Sequence, residues 1–264
     1  MTYQPVIAGT GIAGWKFLQR TYDAQFLAFK KSSAVVRDLD YFKEEIGNIT
    51  TAADLVGNRR LLSVALSAFG LENDLNNRYF IQKVLEDGTK VEDSLANRLM
   101  DGRYKKLSAA FGFGAGEAVR TSDPEAMAEI ISLYRMERFE SAIGNVDDVM
   151  RIVLFAEREL AGISAAPISE NAKWFTVMGS PPLREMFETA LRLPAAFGKL
   201  DIDRQLDIFK DKMAAFMGDS SISQFAEPGA RERLTTRFLA LSQVKSASMA
   251  TSPAANSLIL LRGY

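Results

Sequence analysis

The sequence predicts an all-α fold, and three observations support this. Apolar residues recur at helical spacing along most of the chain, capping residues and prolines precede these runs, and strand-like alternation is almost absent. The 264 residues are 47% hydrophobic and 25% charged, which is typical of a globular protein with a sizeable core. We expect a single compact multi-helix domain over residues 1–264.

Local signals place the helices. The leading helix is predicted near Trp15–Lys31, and its apolar face is Trp15, Leu18, Tyr22, Phe26 and Phe29. Capping residues at Thr121–Glu125, with Glu three residues after Ser122, predict a helix that ends near Gly144. Asn145 is expected to cap the next helix, whose inward face is Val146, Val149, Met150, Val153 and Leu160. Three later helices are predicted to open at Ser180–Pro182, to follow Asp201, and to span Arg231–Lys245.

Two stretches resemble each other, one beginning at Gly57 and the other at Gly179. The matches, with gaps, are Ala65–Leu66 with Ala190–Leu191 and Ala68–Gly70 with Ala196–Gly198. The copies are too long and too few for a solenoid of short repeats. We interpret them as a duplicated helical unit packed with pseudo-twofold symmetry. The copies cover about 35–118 and 165–247, and helices in 119–164 connect them.

The absence of cysteine and histidine removes several classes of enzyme. The chain can form no disulfide, no thiolate nucleophile and no Ser-His-Asp triad, and nearly all zinc sites need one of these residue types. The net charge is −1, from 32 Lys and Arg against 33 Asp and Glu, and no basic run is present. We predict no catalytic residue, no metal, no cofactor and no nucleic-acid partner.

Membrane insertion and a cleavable signal peptide are not expected. No stretch approaches the roughly 18 apolar residues of a membrane helix. The N-terminus has no basic region before its apolar segment, which Lys16 interrupts early. We expect synthesis in the cytoplasm, and export by a route without a cleaved signal stays open.

Gly9–Gly14 reads G-x-G-x-x-G, the fingerprint of a dinucleotide-binding loop. That fingerprint needs a preceding strand, which Pro5 would weaken, and an acidic residue about 20 residues further on. Asp38 lies slightly too far away, and no alternation of strands and helices follows. We therefore interpret the segment as a glycine-containing entry to an amphipathic helix, with the dinucleotide loop as the alternative.

Three other patterns have a catalytic and a structural interpretation, and we prefer the structural one for each. Ser242 and Lys245 have the S-x-x-K spacing of serine acyl-enzymes, without the accompanying motifs. Some acidic pairs could bind Mg²⁺ or Ca²⁺, although two of them lie where helices start: Glu44–Glu45, Asp147–Asp148 and Asp201/Asp203. The loop Ala110–Gly116 lacks the lysine of a phosphate loop and is typical of a helix end.

An apolar run lies near the last residues of the sequence and is a candidate partner-binding segment: Leu258, Ile259, Leu260 and Leu261. Such a run packs on its own domain or against another surface. Packing on its own domain is the default, and partner binding is our hypothesis. Deletion of 254–264 distinguishes the two alternatives, because only packing on its own domain predicts a large fall in melting temperature.

Several segments together are similar to an uncharacterised family of bacterial proteins, a family with a domain of unknown function. They are Gly14-Trp15 with Phe17-Leu18, Arg37-Asp38 with Tyr41-Phe42, "RRLLSVALSAFGLENDLNN", "FIQKVLEDG", "LANRLMDGRYKKLSAAFGFG" and "VMGSPPLREMFETALRLP". In that family the domain is repeated and the genes often lie among flagellar genes. The resemblance implies a flagellum-associated role, and it supplies no catalytic or binding residue.

We therefore predict a non-enzymatic interaction or assembly protein with protein partners, flagellar components among them. The alternative is a small-molecule-binding protein, or an enzyme that uses Asp, Glu and Lys chemistry. A preformed pocket with inward charged groups would favour the alternative. An exposed apolar groove would favour the interaction protein.

Overall fold

The predicted all-α class is confirmed. The structure, a computed structural model, describes the backbone of residues 3–250 and the side chains of residues 3–247. The described residues form thirteen α-helices and four short 3₁₀ segments, and they contain no strand. The partner-binding hypothesis for residues 258–261 concerns residues outside this part of the chain.

The described helices group into two compact units. The first combines residues 3–6 with 21–146, and the second combines 7–20 with 147–250. The helices predicted to connect the copies divide between the units, because one lies before residue 146 and the other after it. The single domain over 1–264 stays a prediction.

The first unit is built around a helix that is apolar on most sides. Its helices are the second part of α1 (Gly11–Lys30), α2 (Ser33–Glu45), α3 (Ala52–Gly57), α4 (Arg59–Ala68), α5 (Arg78–Asp87), α6 (Leu95–Arg98), α7 (Gly102–Phe111) and α8 (Pro124–Gly144). The buried residues of α4 are Leu61, Leu62, Val64, Ala65, Leu66, Ser67 and Ala68. A helix that is apolar on most sides must be surrounded, and α4 packs against α2, α3 and α8.

The second unit has an aromatic core. Its helices are the first part of α1, α9 (Asp148–Ala165), α10 (Glu170–Gly179), α11 (Pro181–Ala190), α12 (Ile202–Met217) and α13 (Pro228–Ala250). Trp174 is fully buried, and its ring lies 5.5 Å from the rings of both Phe187 and Phe209. The indole Nε1 donates a hydrogen bond to the carbonyl of Ser220 at 2.9 Å, so burial leaves its polar atom satisfied. Helix α11 packs against α9, α10 and α13.

Two predicted caps are wrong by one or two residues. Asp123, not Ser122, caps α8, and its carboxylate accepts hydrogen bonds from two backbone N–H groups of the first turn. Asp147, not Asn145, caps α9 in the same way. Val146 is therefore outside the helix and is 45% exposed, so its predicted inward position is wrong. In both caps a carboxylate accepts from the orphan N–H donors, where negative charge also meets the helix dipole favourably.

Two other helix starts agree with the sequence, and that of the leading helix does not. Ser180 precedes α11, and Asp201 caps α12 by accepting a hydrogen bond from the backbone N–H of Asp203 at 2.9 Å. The leading helix begins at Gly11, before the predicted start at Trp15.

The predicted duplication is not confirmed. The order of elements from α3 to α7 resembles that from α10 to α13, but residues matched in the sequence do not take equivalent places. Gly70 follows the end of α4 with a φ of +67°, whereas Gly198 lies inside the 3₁₀ segment Ala195–Lys199. The residue in the place of Gly70 after α11 is Arg192. The duplication and its pseudo-twofold symmetry stay predictions.

Candidate functional site

An open groove lies in the second unit between α11 and α13, with a volume of about 740 Å³. That volume is in the range of binding clefts. Leu193, Ala195, Leu241 and Val244 supply its apolar surface, and the side chain of Val244 is in the open, with 64% of the residue exposed. The surface between the two helices is therefore apolar and exposed to solvent.

Charged side chains of both signs line the rim of this groove. Arg184 donates a hydrogen bond from Nε to Glu188 Oε1 at 2.7 Å and another from Nη2 to Gln205 Oε1 at 2.6 Å. Its guanidinium also lies over the ring of Phe197, 5.8 Å from the centroid. These contacts hold one wall of the groove in place.

Arg192 is a functional candidate that the sequence analysis missed. Among the described residues, it is the only non-glycine with a positive φ, 54°. Its backbone N–H donates to the carbonyl of Thr189, and the backbone N–H of Leu193 donates to the carbonyl of Glu188. This pair of hydrogen bonds is the Schellman motif that ends α11. Glycine is usual at this position, because a side chain there is strained. The Arg192 side chain lines the groove, and Pro194 was the only sequence signal of a helix end nearby.

Replacing Arg192 by Gly is expected to raise the free energy of unfolding by about 1 kcal/mol, because the strain in the left-handed conformation is relieved. The melting temperature should rise by roughly 2 to 4 °C for a chain of this size. Arg192→Ala is the matched control, since it removes the same side chain and keeps the strained backbone. Equal stability of the two variants in thermal denaturation would contradict the strain at this position.

The S-x-x-K residues do not share one cavity. Both lie on α13, but Ser242 lines a smaller cavity and Lys245 lines the groove. The three predicted acidic pairs lie on three different helices. Asp147 and Asp201 cap α9 and α12, and Glu44 lies in the last turn of α2. Over the described part of the chain, no three acidic side chains are grouped so that they could hold a metal ion.

The two glycine-rich segments are positioned at helix ends. Helix α7 ends at Phe111, and Gly112 follows in the left-handed conformation with a φ of +67°, as predicted. The opening motif Gly9–Gly14 runs into the first turn of α1, and residues 3–8 before it have no regular secondary structure. The strand that a dinucleotide fingerprint needs is therefore not there.

Two tyrosines in the first unit donate hydrogen bonds to carboxylates. The hydroxyl of Tyr104 lies 2.7 Å from Asp74 Oδ2, and that of Tyr134 lies 3.0 Å from Asp38 Oδ2. Burial and the neighbouring carboxylate raise the pKa of each tyrosine to about 12. Both hydroxyls therefore stay protonated at neutral pH and act as structural donors.

None of the helices within residues 3–250 combines the length and the apolar character that crossing a bilayer requires.

The sequence profile of a family described as "Protein of unknown function (DUF1217)" matches residues 68–230, which is more than half of the chain. A crystal structure of protein AGR_C_984 from Agrobacterium tumefaciens is similar, with a TM-score of 0.74 and 24% sequence identity. The alignment covers 92% of this chain and 97% of that chain, and it shows a common fold. No curated protein matches the sequence.

Proposed function

Because the chain belongs to the DUF1217 family, whose function is unknown, we propose a role from its own surface: a non-enzymatic interaction or assembly protein. The observation that carries this proposal is the open apolar groove between α11 and α13 with its rim of mixed charge. The occupant is an amphipathic helix of a protein partner.

The geometry of the groove favours a helix over an extended peptide. Two helices form the walls, and a third helix can pack its apolar face on Leu193, Leu241 and Val244. No open sheet edge exists among the described residues, so strand addition has no template there. Since Glu185 and Arg192 lie on the rim, the partner helix should carry charges of both signs beside its apolar face.

The polar groups of the groove favour binding over catalysis. Arg184 and Glu188 are hydrogen-bonded to each other, which suits a fixed wall of a docking surface. The flagellum-associated part of the proposal has a different support, which is the resemblance of the sequence to proteins encoded among flagellar genes. Swimming in soft agar by a deletion strain with a plasmid-borne copy tests that part. Normal swimming of the deletion strain would reject it.

Val244→Glu is expected to abolish the rescue of swimming, because a partner helix would have to bury the new carboxylate against apolar surface. The free energy of unfolding should change by no more than about 0.5 kcal/mol, since the residue is on the surface. Val91→Glu is the matched control, a valine in the first unit that is 60% exposed. Rescue by Val244→Glu to the wild-type level would contradict the groove as the docking surface.

Deletion of residues 254–264 tests the partner-binding hypothesis for Leu258, Ile259, Leu260 and Leu261, which lie outside the described residues. We expect the truncated protein to lose rescue and to keep the melting temperature of the full chain. A large fall in melting temperature would instead indicate that this segment packs on its own domain.

A further inference from the structure

The groove between α11 and α13 carries an apolar ridge along one of its own walls. Leu241 and Val244 lie three residues apart on α13, so they share a face of that helix, and both line the groove. Val244 is 64% exposed, more than any other large apolar residue described in the second unit. One surface therefore presents both an open apolar groove and an exposed apolar ridge that is able to fill such a groove.

The charges beside the ridge and across the groove are opposite. Lys245 follows Val244 and lines the groove from α13. From the facing helix α11, two carboxylates line the groove, those of Glu185 and Glu188. Arg184 Nε donates to Glu188 Oε1 at 2.7 Å, whereas Glu185 is exposed and forms no ion pair with any described residue. A second copy of the ridge, entering this groove, would bring Lys245 towards Glu185.

We propose that the groove binds a second copy of this chain, in a dimer with twofold symmetry. The ridge of each copy lies in the groove of the other, and Lys245 of one copy faces Glu185 of the other. This inference rests on the proposed function, since it takes the groove as the docking surface and names its partner. A twofold dimer needs only one self-complementary patch on the chain, and this surface supplies it.

The dimer gives α13 the environment of a helix in a four-helix bundle. Each α13 packs against its own α11, and in the dimer it also contacts α13 and α11 of the other copy. Every contact occurs twice, so Val244 and the charge pair act at two places in one dimer. Glu185 and Lys245 also supply charges of both signs, as expected for the occupant of this rim.

Sedimentation equilibrium of the full chain over a range of concentrations tests the dimer. We expect a mass of two chains that falls to one on dilution. Val244→Glu should raise the dissociation constant at least about 100-fold, because two carboxylates then meet apolar surface. Val91→Glu is the matched control, an exposed valine of the first unit that does not line the groove, and it should leave the dissociation constant unchanged. A mass of one chain at the highest soluble concentration would overturn the proposal, and so would equal weakening by the two variants.

Exchange of the two charges tests which surface the second copy uses. Glu185→Lys or Lys245→Glu alone places like charges opposite each other at two points of the dimer, so each should raise the dissociation constant at least about tenfold. Both residues are exposed, so the melting temperature should stay near the wild-type value. The variant with both changes restores opposite charges and should recover the wild-type dissociation constant to within about threefold. Additive weakening in that variant would overturn the pairing of ridge and groove.

Different results reject the dimer and the proposed function. If the full chain has the mass of one chain and Val244→Glu still abolishes the rescue of swimming, the groove binds a different protein and only the second copy is rejected. If Val244→Glu breaks the dimer and still rescues swimming, the dimer stands and the role of the groove in swimming is rejected. A dimer that forms only after deletion of residues 254–264 would overturn the proposal, because the segment of the same chain would then occupy the groove.

Discussion

Replacing Gly88 by Ala is expected to lower the free energy of unfolding by about 3 kcal/mol or more. Gly88 ends α5 with a φ of 69° and a ψ of −159°, a conformation that is essentially restricted to glycine. An added Cβ would also lie 2.7 Å from the Cα of Gly114. Backbone cannot rotate away as a flexible side chain can, so strain and overlap add. Urea denaturation of the purified variant measures the loss.

Gly116→Ala is the control for a positive φ without a close neighbour. Gly116 has a similar φ of +73°, but a Cβ there meets nothing within 4 Å. Its substitution should cost only the conformational strain, about 1 kcal/mol. If Gly88→Ala lowers the free energy of unfolding by no more than Gly116→Ala does, the close approach of the backbone at Gly88 and Gly114 is contradicted.

The turn after Gly88 also holds a carboxylate, which adds to the expected effect. Glu117 Oε1 accepts hydrogen bonds from the backbone N–H groups of Thr89 at 2.5 Å and Lys90 at 3.1 Å. Burial opposes ionisation of Glu117, but these bonds and the Thr89 hydroxyl outweigh it and lower the pKa of the carboxyl below its usual value. Displacing the turn would remove donors from a charged group.

Local sequence signals predicted the helices well because the forces that they report are local. Asp201 caps α12 through its own neighbouring backbone, and the glycine after Phe111 ends α7 through its own φ. The sequence did not predict Asp123 as the cap of α8 over Ser122, since both residue types are good caps and the contest is decided by the final geometry.

The groove and the smaller cavity could not be predicted in the same way, because distant parts of the chain form them. Leu193 and Val244 lie on one surface only after α11 packs on α13. Residues 7–20 join residues 147–250 in one unit, which no local pattern indicates. The end of α11 at Arg192 is harder still to predict from the sequence, because glycine is the residue that usually marks such a helix end.

Glu170→Gln is expected to lower the free energy of unfolding by about 2 kcal/mol at neutral pH. Lys173 is 6% exposed, and its ammonium contacts the carbonyl of Ser164 at 2.9 Å, Ser223 Oγ at 2.6 Å and Glu170 Oε1 at 3.2 Å. Removal of the carboxylate leaves a buried cation without its counter-charge, which costs about 3 to 5 kcal/mol for a fully buried pair. The Glu170 side chain is 38% exposed, so solvent screening reduces that figure.

The cost of Glu170→Gln should depend on pH. Burial opposes ionisation of Glu170, but hydrogen bonds from Ser223, Lys173 and the backbone of Ile222 prevail and lower the pKa of its carboxyl. A group with a lowered folded-state pKa contributes stability that is present above the unfolded pKa, about 4.3 for Glu. That contribution is lost as the pH falls through the folded-state value. The difference between wild type and variant should be full near pH 7 and shrink below about pH 4.

A double-mutant cycle with Lys173→Met shows whether the two charges act as a pair. Met has a similar length and fills the buried space without a charge, so the Lys173→Met protein needs no counter-charge at Glu170. Glu170→Gln should therefore cost less in the Lys173→Met background than in the wild type. The hydrogen bonds that Glu170 accepts from Ile222 N, at 2.7 Å, and from Ser223 remain in that background and account for any residual cost. Equal costs in both backgrounds would mean that Glu170 acts through its hydrogen bonds with Ile222 and Ser223 and not through the charge of Lys173.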